Sequence, residues 1–131
     1  MVDGLVILNF SHPLPPVQQA RVADLAGGMR VDGYLEVPVH LDRSADIAAQ
    51  ISSIVGETGL TSEDWQTRPI VVVLPGLAEA AAALLAHLHG ITGYFVTVAM
   101  TARRPGLAQT YEVTQLVSLQ DLRDGARQQR W

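Results

Sequence analysis

Short apolar runs alternate along the chain with segments in which apolar residues recur every three or four positions. The runs are typical of buried strands, and the spaced pattern is typical of amphipathic helices. In the run over 70–74, apolar and mostly β-branched residues occupy both faces, which indicates a strand in a parallel sheet covered by helices on each side. The pattern predicts strands over 5–10, 34–41, 69–74, 94–101 and 111–119, and helices over 15–26, 77–89 and 120–130, with a further helix that Asp42 or Ser44 caps and Gly56 ends.

Proline, glycine and capping residues mark the boundaries of these elements. Pro38 lies inside the second predicted strand, and because proline donates no ladder hydrogen bond it indicates an edge position or a bulge. The segment over 61–64 predicts a capping box for one helical turn that carries Trp65. His89-Gly90 predicts the end of the helix over 77–89, and Ser118 predicts the cap of the last helix.

The order of the elements, β-α-β-α-β-α-β-β-α, predicts the fold class. It indicates an α/β, Rossmann-like three-layer sandwich with a mostly parallel sheet. The short connection over 102–106 predicts a C-terminal antiparallel hairpin, since a parallel crossover needs a dozen or more residues. The chain has 131 residues and no linker, which predicts a single domain over 1–131.

The helix over 77–89 is apolar on two faces. One face predicts a core stripe, and the opposite face carries small residues that a second subunit would cover, which indicates a homodimer. An alternative reading makes this small face a docking surface for another protein. The predicted core stripe is Leu77, Ala81, Leu84, Leu85 and Leu88, and the small face is Ala78, Ala82, Ala83 and Ala86.

Composition narrows the classes of protein. The chain contains no cysteine, which excludes a disulfide framework and a thiol nucleophile. The start of the sequence lacks the pattern of a signal peptide, and its aliphatic runs are too short to cross a bilayer, so we expect a cytoplasmic protein with no membrane contact. A net charge of −4 argues against binding to long nucleic acid. All nine basic residues are arginines, which leaves a small anionic ligand possible.

Candidate binding residues follow the strands of the predicted parallel sheet. Ligands of open α/β sheets bind at the carboxyl ends of the parallel strands. The tetrad Asn9-Phe10-Ser11-His12, the segment over 40–43 and the Pro75-Gly76 turn all fall there. Asn9 and Ser11 offer donors and acceptors, His12 offers a proton shuttle, and Pro75-Gly76 opens a helix whose free amides favour anions. The alternative is that Asn9 and Ser11 only satisfy backbone groups at a turn.

Other motifs are absent or weak. No Gly-Lys-Ser/Thr follows Pro75-Gly76 and no Gly-x-Gly-x-x-Gly follows the first strand, so the sequence predicts neither nucleotide hydrolysis nor a dinucleotide cofactor. His87 and His89 diverge on their helix, which predicts no metal site. Arg123, Arg127 and Arg130 share one helix face, either as solvated surface or as contacts to phosphates or an acidic partner.

Five short segments, taken together and in order, carry a resemblance to a known family. They are Asn9-Phe10-Ser11-His12-Pro13-Leu14, Trp65-Gln66-Thr67, Leu74-Pro75-Gly76, His89-Gly90 with Gly93-Tyr94-Phe95, and Leu119-Gln120-Asp121-Leu122-Arg123 with Arg127 and Arg130. In these segments the chain resembles the small CRISPR-associated Csx family numbered fifteen, which accompanies type III CRISPR systems. The resemblance runs nearly end to end, although Val96 stands where the family has a proline. It implies a minimal CARF-like sensor domain that binds cyclic tetra-adenylate as a homodimer, with higher assembly on ligand binding as a further option.

The resemblance assigns ligand contacts in two groups. Asn9, Ser11, His12, Pro75 and Gly76 match both the family segments and the strand ends, and Phe10 offers an apolar wall for adenine. The second group, which matches the family segments alone, is His89, Gly90, Gln120 and Arg123.

Two activities fit this ligand. The protein would sequester the messenger and so damp effector activation, which is the reading we prefer because no histidine and lysine pair dedicated to cleavage stands out. The alternative is a metal-independent ring nuclease. In that activity the ribose 2′-hydroxyl would attack its neighbouring phosphate, with His12 as general base or acid. Neither activity needs a cofactor.

Overall fold

The computed structural model describes residues 4–130, so residues 1–3 and 131 of the predicted domain lie outside it. In this part of the chain the strands are β1 (Gly4–Asn9), β2 (Arg30–Glu36), β3 (Ile70–Val73), β4 (Thr97–Arg103) and β5 (Tyr111–Ser118). The helices are α1 (Pro16–Leu25), α2 (Ile47–Gly56), α3 (Ser62–Thr67), α4 (Ala78–Thr92) and α5 (Leu119–Arg127).

The strands form one sheet in the order β2-β1-β3-β4-β5. The first four run parallel, and β5 pairs antiparallel with β4. The predicted α/β class, the mostly parallel sheet and the C-terminal antiparallel pair are therefore confirmed. We call the edge where the parallel strands end the carboxyl edge, and the edge where they begin the amino edge.

Two hydrophobic clusters cover the two faces of this sheet. Alternate residues of a strand point to opposite faces, so the continuous apolar run of β1 supplies both clusters. Val6 and Leu8 pack with residues of α2, α3 and α4, among them Trp65. Leu5 and Ile7 pack with residues of α1. The sheet thus lies between two helical layers.

Strand and helix starts differ from the predictions where a partner fixes them. β2 begins at Arg30 rather than at residue 34, because it pairs from Gly4 of β1 onward. It ends before Pro38, and it is an edge strand as that proline suggested. The predicted caps of α2 were wrong, since Asp46 caps it by accepting a hydrogen bond from the amide of Ala48 at 3.0 Å.

Helix α4 continues past its predicted end. It runs through Gly90 to Thr92, and Gly93 closes it with φ at 80° in the left-handed region that glycine favours. His89-Gly90 therefore lies inside the helix. The core stripe is shifted, because Leu77 is 39% exposed and Ala83 packs against the core rather than on the small face. The buried residues of α4 are Ala80, Leu84, Leu88 and Thr92, while Ala78, Ala82 and Ala86 are exposed.

Other boundary predictions had mixed outcomes. The capping box of α3 is present, with Thr61 and Asp64 exchanging hydrogen bonds, and Ser118 caps α5. β4 begins at Thr97 rather than at residue 94, and α5 ends at Arg127 rather than at residue 130. Among residues 4–130, every helix is too short or too polar to span a bilayer.

The antiparallel hairpin extends beyond the end of β3. β3 pairs with β4 only through Val71 and Val72, so the distal half of the hairpin projects past the carboxyl edge. The β4–β5 register shifts after Met100, and this bulge leaves the amide of Val113 to donate to the side-chain oxygen of Gln18 at 2.7 Å. Helix α1 therefore holds the hairpin in place at its bend.

Candidate functional site

Asn9, the last residue of β1, has no exposed surface, and its side chain organises the loop that follows. Its oxygen accepts a hydrogen bond from the amide of Ser11 at 2.9 Å. Its amide nitrogen donates to the carbonyl oxygen of His12 at 2.7 Å and to the hydroxyl of Tyr34 at 3.0 Å. Both N–H groups are used, so Asn9 positions the tetrad rather than offering its side chain to a ligand.

The hydroxyl of Tyr34 is the second support of this loop. It accepts hydrogen bonds from Asn9 and from the amide of Leu14, the latter at 2.9 Å, and donates to the carboxylate of Glu36 at 2.8 Å. Burial raises the pKa of Tyr34 above its ordinary value, although the bonds from Asn9 and Leu14 oppose that rise. The hydroxyl therefore stays protonated at neutral pH and keeps all three bonds.

A cavity of about 730 Å³ lies at the carboxyl edge. Ser11 and His12 form one side of it, and Pro75 and Gly76 form its floor beside the end of β3. The projecting hairpin supplies the opposite wall through residues of β4 and the segment over 109–111. The volume falls within the range typical of pockets for small organic ligands.

A second hollow of about 240 Å³ lies on the other side of the same four residues. It is also lined by Phe10 and by the segment over 38–41, which includes His40. The structure thus brings the tetrad, this segment and the Pro75-Gly76 turn to one edge, as parallel-sheet geometry predicts. Phe10 itself is buried, with 2% of its surface exposed.

The large cavity contains no Asp, Glu, Lys or Arg side chain among the described residues that line it. Its aromatic side chains are His12 and Tyr111, which stack nearly parallel to each other. The first turn of α4 opens beside it, and its N-cap residue Leu77 provides no side-chain acceptor for the free amides. Anions would therefore be met here by backbone dipoles rather than by guanidinium groups.

The second group of predicted contacts lies at the amino edge. His89 stacks on Phe95 with ring centroids 4.2 Å apart. Gln120 accepts a hydrogen bond from the amide of Phe95 at 2.9 Å and donates to Asp124 at 3.0 Å. Arg123 lies 2.9 Å from Asp124 and holds the pKa of that carboxyl below its ordinary value. The bond from the Phe95 amide to Gln120 attaches α5 to the segment before β4.

The length of α4 separates the two groups. Its 15 residues rise about 22 Å from the carboxyl edge toward the amino edge. Gly90 lies in its last turn, on the same side of the molecule as His89, Gln120 and Arg123. A single cavity within one chain therefore does not contain all the predicted contacts.

Every arginine except the half-buried Arg68 is exposed at the surface. Arg123, Arg127 and Arg130 line a shallow groove of about 240 Å³ along α5. At the hairpin, Arg104 lies 3.8 Å from Glu112. Near the start of α4, Arg43 lies 3.4 Å from Glu79. Within residues 4–130, no three His, Asp or Glu side chains converge as metal ligands would.

The hairpin wall was missed by sequence reasoning. Met100, Gln109, Thr110 and Tyr111 line the cavity, but nothing in their local pattern shows that they fold over the loop after β1. The only sequence signal for this wall is a tyrosine at the start of a strand, directly after an exposed turn.

Comparison with known proteins identifies no relative: no family model, no curated protein and no solved structure matches this chain.

Proposed function

We propose that this protein binds and sequesters cyclic tetra-adenylate, the messenger of type III CRISPR defence, and thereby damps effector activation. The observation that carries the proposal is the convergence of Ser11-His12 and Pro75-Gly76 on one cavity beside the start of α4. These are the residues at which the sequence resembles the Csx family numbered fifteen. On the same ground we propose that the fold is a Rossmann-like, CARF-like sensor domain.

The cavity suits a nucleotide ligand in its chemistry. Phosphate oxygens accept hydrogen bonds from free amides at a helix start, and adenines pack against apolar walls and hydrogen-bond through their edges. Ser11, Gln109 and Thr110 supply polar edge groups, while Leu74 and Met100 supply apolar wall.

Cyclic tetra-adenylate consists of four identical nucleotides, and the cavity of about 730 Å³ on one chain suits part of that ring. We propose that two chains related by a twofold axis each take one half of the ring. The exposed small face of α4, which contains Ala78, Ala82 and Ala86, is the candidate dimer surface. If that face instead docks a different protein, the isolated chain will sediment as a monomer with and without the ring.

The lining of the cavity favours holding the ring over cutting it. Metal-independent cleavage needs a base for the 2′-hydroxyl and an acid for the leaving oxygen. It also needs a hydrogen-bond donor or cation that stabilises the negative charge developing on the phosphate. Among the described lining residues, His12 is the one imidazole, and no lysine or arginine accompanies it. The ring nuclease therefore remains the second candidate, with His12 as its catalytic residue.

The test incubates purified protein with cyclic tetra-adenylate, first with protein in excess and then with ring in excess, and follows the ring by mass spectrometry. Sequestration predicts stoichiometric retention of intact ring in both conditions. Turnover to linear di-adenylate in excess ring, abolished by His12→Ala and kept by His87→Ala, would establish the nuclease instead. Absence of retention and of cleavage would overturn the proposal.

A blocking variant tests where the ring binds. A Cβ atom added at Gly76 meets no atom within 4 Å, so Gly76→Leu should fold normally and fill the floor of the cavity. Gly56→Leu, at the exposed end of α2, is the matched control because a side chain there also enters open space. Retention should be lost in Gly76→Leu and kept in Gly56→Leu.

A further inference from the structure

The rings of His12 and Tyr111 face each other across the wall of the cavity. Their centroids are 6.0 Å apart and their planes differ by 16°. His12 comes from the loop after β1, and Tyr111 begins β5 on the projecting hairpin. Tyr111 is 43% exposed, so its ring is not part of either hydrophobic cluster.

This pair is a loose stack. His89 and Phe95, at the amino edge, stack with centroids 4.2 Å apart, whereas the 6.0 Å between His12 and Tyr111 lies toward the long end of the range for stacked rings. A flat ring inserted between two others needs about 7 Å between the planes of the outer pair, twice the optimal separation of carbon atoms. The pair must therefore open to admit such a ring.

Tyr111 lies outside the part of the hairpin that core packing fixes. Beyond Val72, β3 no longer pairs with β4, so the distal hairpin is held through its own two strands and through Val113, which is buried in the cluster on the α1 face and donates its amide hydrogen bond to Gln18. Residues 100–111 are exposed throughout. Tyr111 itself belongs to neither cluster, so its displacement breaks no contact within them.

We propose that His12 and Tyr111 form a clamp that takes one planar nucleobase between their rings. The absence of charged side chains among the described residues lining the cavity favours a neutral flat group, and Gln109 and Thr110 lie beside Tyr111 to meet the polar edge of a base. This inference rests on the proposed function in that the base is an adenine of the cyclic ring. It assigns to Tyr111 a binding role that the sequence did not indicate.

The experiment measures the dissociation constant of the cyclic ring for the wild-type protein and for variants at the clamp. Tyr111→Leu removes the ring but keeps apolar bulk and should weaken binding by about 10- to 100-fold, the usual effect of losing one stacked base. Tyr111→Phe should recover most of the affinity, because it keeps the ring. Leu107→Ala, at the fully exposed hairpin tip, is the control for changes to the hairpin and should bind as the wild type does.

His12→Phe separates stacking from acid–base chemistry. It keeps a ring at the position and should retain binding, whereas His12→Leu should lose it. Thermal unfolding of each variant should match the wild type, since both residues are exposed. Equal affinity of Tyr111→Leu and wild type for the ring would overturn the clamp while leaving sequestration standing.

The clamp can also be tested if the proposed function fails. If the wild-type protein does not retain the ring, the proposed function fails, and the same variants are then titrated with adenosine monophosphate. Binding that weakens in Tyr111→Leu and recovers in Tyr111→Phe would support the clamp on its own. Absence of binding there would overturn the clamp as well.

Discussion

Asn9→Ala is the substitution that tests most directly how the site is built. Asn9 is the one asparagine in the sequence, and it is fully buried where β1 leaves the sheet. The substitution removes the acceptor for the Ser11 amide and the donor for the carbonyl oxygen of His12. Both hydrogen bonds are part-buried, so water replaces them only incompletely.

The magnitude follows from the cost of unsatisfied groups. A buried donor or acceptor left without a partner costs about 1–3 kcal/mol. Both bonds are only part-buried, so we take the lower part of that range for each of the two groups and expect a loss of about 2–4 kcal/mol. A domain with a total stability of about 5–15 kcal/mol remains folded after such a loss.

Urea unfolding followed by tryptophan fluorescence measures this loss, since Trp65 lies in the core. Gln129→Ala, an exposed site in the last turn, is the control and should change the free energy of unfolding by less than about 0.5 kcal/mol. Asn9→Ala within that same margin would refute the assignment of Asn9 as the organiser of the loop.

Asn9→Asp adds a pH signature. The new carboxyl group would face the carbonyl oxygen of His12, which now accepts a hydrogen bond at 2.7 Å, so it must be protonated to keep that contact. Its pKa in the folded state is therefore raised above the unfolded value. Stability from a raised pKa is present below the unfolded value and is lost as pH rises through the folded one. The deficit of Asn9→Asp should thus shrink from pH 7 to pH 5, while that of Asn9→Ala should stay constant.

Three further substitution experiments test the surroundings of the site. Gly93→Ala should destabilise the protein by about 1 kcal/mol, because φ is 80° at that position. Gly90→Ala, inside α4, should instead stabilise it by about 0.5–1 kcal/mol. Equal effects of the two substitutions in thermal unfolding would contradict the observed helix end. Gln18→Met should cost about 1–3 kcal/mol by leaving the Val113 amide unpaired, as urea unfolding would show, and an unchanged midpoint would argue against that bond. Because the pKa of Tyr34 is raised, its contribution to stability is present below pH 10 and is lost as pH rises through the folded value. Tyr34→Phe should therefore unfold with a weaker dependence on pH above 10, and an identical dependence would count against the raised pKa.

The pattern of residues along the chain predicted the strands of the sheet, because a strand pattern depends only on neighbouring residues. The alternation of β1 between two faces and the apolar run of β3 need no knowledge of distant residues. Boundaries were less predictable, because pairing and packing decide them. Gly90 reads as a helix end, yet packing of Leu88 and Thr92 carries α4 one turn further.

The candidate site was predictable only along the carboxyl edge. The general geometry of parallel sheets places the tetrad and the Pro75-Gly76 turn together. It says nothing about how far the hairpin projects past β3, which is what brings Tyr111 to His12. Gln120 lies at the amino edge because β5 runs antiparallel to β4 and ends beside the start of that strand. The sequence motif that contains Gln120 does not indicate how far it lies from the cavity.

The uncharged lining of the large cavity has a practical consequence for handling the protein. When lysines and arginines bind an anionic ligand, the ligand releases its associated counterions, so concentrated salt weakens the binding. A ligand held by backbone dipoles and stacked rings lacks most of that dependence. Molecules bound in the cell would therefore survive ion-exchange columns and high-salt washes, and denaturing the purified protein would release them for direct identification.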